Sequence, residues 1–359
     1  PSGSATINEL QSFFARANYN LNSRYILTAT ARMDGSSKFG GNNRYAFFPS
    51  FGAAWRISEE DFLADADAVN NLTLRFGWGV TGNQEIPPKI TKAQLSVSTG
   101  SGVGYPLDGT NIAPGFNFVR IPNKDIRWEV SRQSNIGIDF SFFKDRLYGT
   151  LDAFDKVSTD ILWETTTAID PITPTGSNWN NYDMKIINRG IEMALGFRSG
   201  FSETFQWDFG GNISYIYNTI QDLPVTILRT GTLSGPGLTS VPVNGYMNGQ
   251  PIGTFYILEF LGLDEDGFSI FRDAKPDGVI NDDDRVVAGS ALPKIQYNLY
   301  GNLTYKKVGL VLNFNGAAGN KIYNETENAW LTYPIFLAGN NVPKYVIENS
   351  ANENPLNSS

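Results

Sequence analysis

The chain has 359 residues, 41% of them hydrophobic and 18% charged, with a net charge of −8. It holds no cysteine and no histidine, which excludes, within these residues, disulfides, Cys/His zinc sites and every nucleophile built on either side chain. The acidic balance argues against nucleic acid as a partner, and no apolar run approaches the ~20 residues of a membrane helix, so any crossing of a membrane must be made by strands.

Apolar and polar residues alternate with period two, the mark of strands, first at Ser12–Leu21, where Phe13, Ala15, Ala17 and Tyr19 oppose Arg16 and Asn18. After a turn, Arg24–Asp34 sets Tyr25, Leu27, Ala29, Ala31 and Met33 against Thr28, Thr30 and Arg32; Phe47–Ile57 follows with Phe51, Ala53 and Trp55 aligned. Ser58 opens SEEDFLADADAVN, read as a short capped helical turn with acids in its first turn. Strands are then expected at Leu72–Thr81, Trp128–Phe142, Arg146–Lys156, Lys185–Phe197 and Phe205–Asn218. The last two form the hairpin of Pro293–Ala318, with Tyr297, Leu299 and Leu303 opposing Asn298, Tyr300, Asn302 and Thr304 around a tight turn at Lys306 and Lys307.

Two features of this series point to a wall between lipid and water. The strands run past the usual five or six residues, greasy on one side and rich in amides and hydroxyls on the other. Their connections alternate short and long without a break in parity, as in an up-and-down barrel with tight turns at one rim and long loops at the other; a Greek-key sandwich has no reason to keep that parity. The expected fold is all-β, an antiparallel transmembrane β-barrel, with these ten strands an arc of a larger one. Arg16, Arg32, Arg75 and Asp208 fall on its inner face. The bland alternative is a soluble sheet with one solvated face.

The stretch YILTATARMDGSSKFGGNNRYAFFPSFGAAWRISEEDF at Tyr25–Phe62 resembles SusC/RagA-like TonB-dependent transporters of the Bacteroidota outer membrane. LRFGWGVTGNQEI at Leu74–Ile86, IRWEVSRQSNIGIDFSFFKDRLYGTLDAFDK at Ile126–Lys156, NRGIEM at Asn188–Met193, GQPIGTFY at Gly249–Tyr256 and DGVINDDDRVVAGSALPK at Asp277–Lys294 continue the resemblance in order. It implies a 22-stranded barrel around an N-terminal plug, a SusD-like lipoprotein lid outside, energy from TonB, oligosaccharide or peptide cargo, and a dimer of such complexes. It also implies that residues 1–359 are part of one barrel domain with a long extracellular loop at 219–292, the plug, the TonB-contacting segment and the final strands lying outside these residues.

Two groups of loop residues are candidate sites. Trp163, Trp179, Tyr182, Trp330 and Tyr333 could stack on sugar faces or meet the lid, or else pack over the barrel mouth. Asp273, Asp277, Asn281 and Asp284 overlay the calcium-loop pattern, with Gly278 at the sharp turn and Ile280 inward; Lys275 stands where a ligand oxygen belongs. The competing reading is a solvated acidic turn that caps its own backbone. Adjacent acids such as Glu59 and Glu60 do not make the separated pair that a glycosidase needs, so the chain reads as non-enzymatic. The runner-up function is a soluble or surface-attached glycan-binding β-protein or adhesin.

Overall fold

The computed structural model describes residues 7–98, 105–106, 112–113, 115–167, 176–199, 202, 204–235, 238–264, 269–326 and 338–344. The chain divides into two compact units, Pro1–Tyr215 with Tyr297–Asn315, and Ile216–Gln296 with Gly316–Ser359.

The first unit holds, in whole or greater part, ten long strands: β1 (Leu10–Leu21), β2 (Tyr25–Ser36), β3 (Tyr45–Arg56), β4 (Val69–Asn83), β5 (Glu129–Phe142), β6 (Leu147–Thr159), β7 (Lys185–Arg198), β8 (Phe205–Gln221), β9 (Ile295–Tyr305) and β10 (Val308–Ala318). They form one sheet whose order follows the chain. Every expected strand is present; the connections after β1, β5 and β9 are short and the longest follow β4, β6 and β8, but the parity is broken once, since the connection after β3 (57–68) is longer than the one after β2 (37–44).

Register turns the alternation of single strands into two continuous faces. One row runs Tyr19, Leu27, Ala53, Phe76, Ile136, Ala153, Ile191 across β1 to β7. A row on the opposite face runs Arg16, Thr30, Ser50, Gly79, Gln133, Lys156, Asn188 across the same strands. The apolar face is not packed into a protein centre: Leu299 is 53%, Phe209 42% and Leu312 38% exposed. A soluble sheet would bury that face, because an uncovered apolar surface of such extent is an interaction surface in water.

At the tight-turn rim, residues 57–63 form two short 3₁₀ turns, neither with a side-chain cap. The capped turn expected from Ser58 is therefore absent. Glu60 is drawn instead to the wall, where its carboxylate accepts from Tyr25 Oη (2.6 Å), Trp55 Nε1 (2.9 Å) and Arg24 (3.2 Å). Tyr25 and Trp55 stack on the apolar side with ring centroids 6.4 Å apart, the amphipathic pairing suited to a membrane–water boundary.

The long connections fold in their own right. Ile161–Thr167, Gly176–Tyr182, Gly115–Arg120 and Gln94–Ser98 make a four-stranded sheet in that order. The second unit contains a sheet of Leu228–Gly235, Leu238–Tyr246, Thr254–Ile257 and Val286–Ser290 over a small core of Leu233, Val243 and Phe255. A hairpin joins Phe260–Leu263 to Ser269–Phe271.

Candidate functional site

The polar face of the sheet is the first candidate, and the four charged residues expected on it have partners within the wall. Arg75 on β4 makes two bonds to Asp139 on β5 (2.7 and 2.8 Å) and reaches over to Asp152 on β6 at 3.0 Å. Gly137 permits that reach: a Cβ there would stand 2.1 Å from Asp152 Oδ1. Arg32 is held by Asp34, and Arg16 by Asn18. Asp208 accepts from Tyr148 Oη at 3.0 Å. The four charged residues expected on the inner face thus all have wall partners, located on the same face of their own or a nearby strand. The face as a whole is polar without offering a loose charge at these positions.

Aromatic rings lie flat on this face because glycines make room for them. Tyr148 on β6 covers Gly196 on β7, where a Cβ would be 2.3 Å from Tyr148 Cζ; Tyr300 on β9 covers Gly210 on β8, where a Cβ would be 2.5 Å from its hydroxyl. The two hydroxyls meet at 2.9 Å, so one polar contact ties β6 to β9 across two intervening strands. Gly196→Val is expected to evict the Tyr148 ring, break both its hydroxyl contacts and destabilise the wall by about 1–3 kcal/mol, the range for overpacking. A shift of the urea midpoint in the refolded full-length barrel measures it.

The second candidate is the loop module at the other rim. Phe39, Phe48, Ile86, Ile90, Ile126, Trp128 and Leu162 form a buried cluster, with Ala46, Val80 and Trp179 packed against it. Residues from the connections after β2, β4 and β6 meet there. Polar braces fix the same segments: Asn123 Nδ2 donates to Trp179 O and Asn180 Oδ1, both at 2.8 Å, and Asn181 Nδ2 donates to Arg127 O and Asp160 O.

The aromatic residues singled out in the sequence separate here. Pairing of Ile161–Thr167 with Gly176–Tyr182 sets Trp163 opposite Asn180 and Tyr182 opposite Ile161, placing Trp163 and Tyr182 on one face of the ribbon. Both are half-buried, and Tyr182 Oη donates to Thr165 Oγ1 at 3.3 Å. Trp179 lies on the other face with Leu162, packed on the core. Trp330 and Tyr333 fall outside the described residues.

The acidic loop is closed on itself. Asp284, 1% exposed, accepts from the amides of Asn281 (2.8 Å) and Lys275 (3.1 Å). Asp273 accepts from Gly278 N, Asp277 from Val279 N, and Asn281 from Asp283 N. Gly278 does make the turn, at φ +79°, but Ile280 is 43% exposed rather than inward. Lys275 pairs with Asp283 at 2.7 Å. Among the described residues, no group of three or more acidic side chains is arranged to hold a metal ion.

The amides of Asn281 and Lys275 hold the Asp284 carboxyl below the usual carboxylate range. The folded loop therefore binds that proton more weakly than the unfolded chain does. Its contribution is complete above the ordinary aspartate value of about 4 and is lost as pH falls through the depressed folded value. Acidification from about pH 5 to about pH 3 is expected to raise amide exchange at 273–285, and Asp284→Asn to remove that pH dependence.

A wall with one hydrocarbon-compatible face, one polar face, short turns at one rim and folded loops at the other is that of an outer-membrane β-barrel. The family described as TonB dependent receptor-like, beta-barrel matches residues 1–347, and the chain belongs to it. It is of the SusC/RagA-like type. It is 31% identical over 334 residues to TonB-dependent receptor P26 of Formosa agariphila, covering 88% of this chain and 32% of that protein. With TonB-dependent receptor SusC of Bacteroides thetaiotaomicron it shares 29% identity over 331 residues, 89% of this chain and 32% of that one. A solved RagAB peptide transporter superposes with a TM-score of 0.70 at 24% identity, over 87% of this chain and 33% of that one, which shows the shared fold. The chain thus spans about a third of the length of these curated relatives.

Proposed function

We propose that this chain supplies barrel wall and extracellular loop scaffold to a TonB-dependent importer of oligosaccharides or peptides in the outer membrane. The observation that carries the reading is the pair of rows across β1 to β7, apolar on one face and polar on the other, with the apolar face left uncovered among the described residues. A nutrient path needs the polar row inward, and lipid needs the apolar row outward. In this reading Trp163 and Tyr182, which share one face of the loop ribbon, are the rings that meet cargo or a SusD-like lid, while Trp179 braces the module beneath them. The relative described as a peptide transporter favours peptide; flat rings on a rim suit sugar equally well. A plug and a TonB-contacting segment belong to the longer protein in this account, as does pairing of two transporter–lid complexes.

Uptake of labelled oligosaccharides and peptides by cells carrying the full-length gene tests this. Uptake of one class is expected, and it is expected to vanish when the gene or TonB is deleted. Equal uptake without TonB would point to a passive pore and contradict the proposal.

A further inference from the structure

The apolar face is not uniform. Between β7, β8 and β9 it opens into a groove of about 480 Å³, bordered by Met193, Leu195, Phe209, Ile213, Tyr297 and Leu299 with Gly211 in its floor. Gly211 stands between Phe209 and Ile213 in the outward row of β8, and Leu299 leans over it, its Cδ2 2.7 Å from where a Cβ would be; the groove is the space that the surrounding side chains leave open above this glycine. Such a notch in a wall bathed by hydrocarbon is filled by hydrocarbon, and the chain that fills it gains contacts on several sides instead of one.

A second feature lies below it on the same sector. The β9–β10 turn carries Lys306 and Lys307, both exposed and in no ion pair among the described residues. The Lys306 ammonium sits 5.4 Å from the centroid of the Tyr305 ring, and Tyr305 belongs to the apolar face and is 54% exposed. Lys306 therefore leans to the lipid side at the tight-turn rim, the level of the periplasmic headgroups in a barrel of this kind. From Tyr305 to Leu299 is six residues, about 15 Å along the membrane normal for a strand tilted ~40°. That is half of a hydrocarbon core of roughly 30 Å, the depth reached by the end of one acyl chain.

From these two features we infer that the β7–β9 sector is a binding site for one anionic glycerophospholipid of the periplasmic leaflet. Its acyl chain lies in the Gly211 groove and its phosphate at Lys306 and Lys307. The charge selects an acidic headgroup; the rim selects the periplasmic leaflet over lipid A, which lies at the opposite rim.

Native mass spectrometry of the full-length transporter, released from nanodiscs of mixed phosphatidylglycerol and phosphatidylethanolamine, tests the site. Wild type is expected to retain one phosphatidylglycerol. Met193→Trp, which fills the groove, is expected to lose it, whereas Ile136→Trp, on the apolar face of β5, retains it. Replacing both lysines by glutamine is expected to lower the preference for phosphatidylglycerol by about ten- to thirtyfold while the barrel keeps its heat-modifiable migration. If Met193→Trp does not fold, the lysine variant decides alone. Unchanged retention and preference in the lysine variant would overturn the inference. So would retention of lipid A, added to the mixture, in place of phosphatidylglycerol.

Discussion

Trp128→Ala is expected to destabilise the loop module by about 3–5 kcal/mol, the range for removing a large buried aromatic. Trp128 is 5% exposed. Its ring lies 4.9 Å from Phe39 and meets Phe48 edge-on at 5.5 Å, and its Nε1 donates to Arg44 O at 3.1 Å. One side chain thus joins the β2–β3 connection, the start of β3 and the approach to β5. Its loss leaves a cavity at the junction, while Arg44 O keeps its other donor, the Ser36 amide at 3.0 Å, so the cost is that of the cavity and the lost apolar burial. The effect is local: amides in 84–90 and 120–128 should exchange faster by several orders of magnitude, while those of β5 and β6 nearer the tight turns keep their protection. Trp163→Ala, at a half-buried position, should leave exchange nearly unchanged. If cargo uptake survives Trp128→Ala intact, the rigid module is not what positions the binding loops.

Leu299→Arg is expected to cost about 2–4 kcal/mol of barrel stability, against little for Asn298→Arg one residue earlier. Leu299 is on the hydrocarbon face and 53% exposed. An arginine there must keep its charge in the low-dielectric middle of the bilayer, too far from either headgroup layer to escape easily. Asn298 is on the polar face, where its amide already bonds Asn313 and Asn315, and an arginine there remains in water. Refolding into bilayers under denaturant measures both. The contrast between neighbours is what matters, since a soluble sheet with its core on the apolar face would also reject Leu299→Arg but would carry no dependence on depth. Replacing Val308, at the tight-turn rim, by arginine should be nearly neutral in a membrane.

The wall was legible because its signal is local. Period two needs only a strand's own residues, so the alternation predicts Phe205–Asn218 where Phe205–Gln221 is found, and it places the turn of the β9–β10 hairpin at Lys306 and Lys307, where the structure has it. The loop sheets were not legible. Gly115–Arg120 meets Gly176–Tyr182 through residues some sixty positions apart, joined in register at Arg120 and Ser177, and no local pattern reports such a pairing. Trp179 shows the same limit: for an aromatic in a loop, stacking on cargo and packing over the barrel mouth both stay open until the partner that buries it is known. Ser58 is no cap for a related reason, since Glu60 finds better partners in Trp55, close before it in the chain, and in Tyr25, the cross-strand neighbour of Trp55 on the preceding strand. In the acidic loop the turn at Gly278 was readable from the residue type, whereas the use of each carboxylate by a backbone amide depends on the conformation that the loop adopts.

Site-directed spin labelling along β9 reports which face of the wall meets lipid, and the absence of cysteine from these 359 residues makes each introduced thiol unique within them. Labels placed one at a time from position 296 to position 304 of the full-length protein in bilayers would be probed with oxygen, which enriches in hydrocarbon, and with a water-soluble nickel chelate. Strict alternation is expected, with oxygen collisions high at 297, 299 and 303 and nickel collisions high at 298, 300 and 302. Protection of 297, 299 and 303 from both reagents would place the apolar face inside protein and rule out a lipid-facing wall.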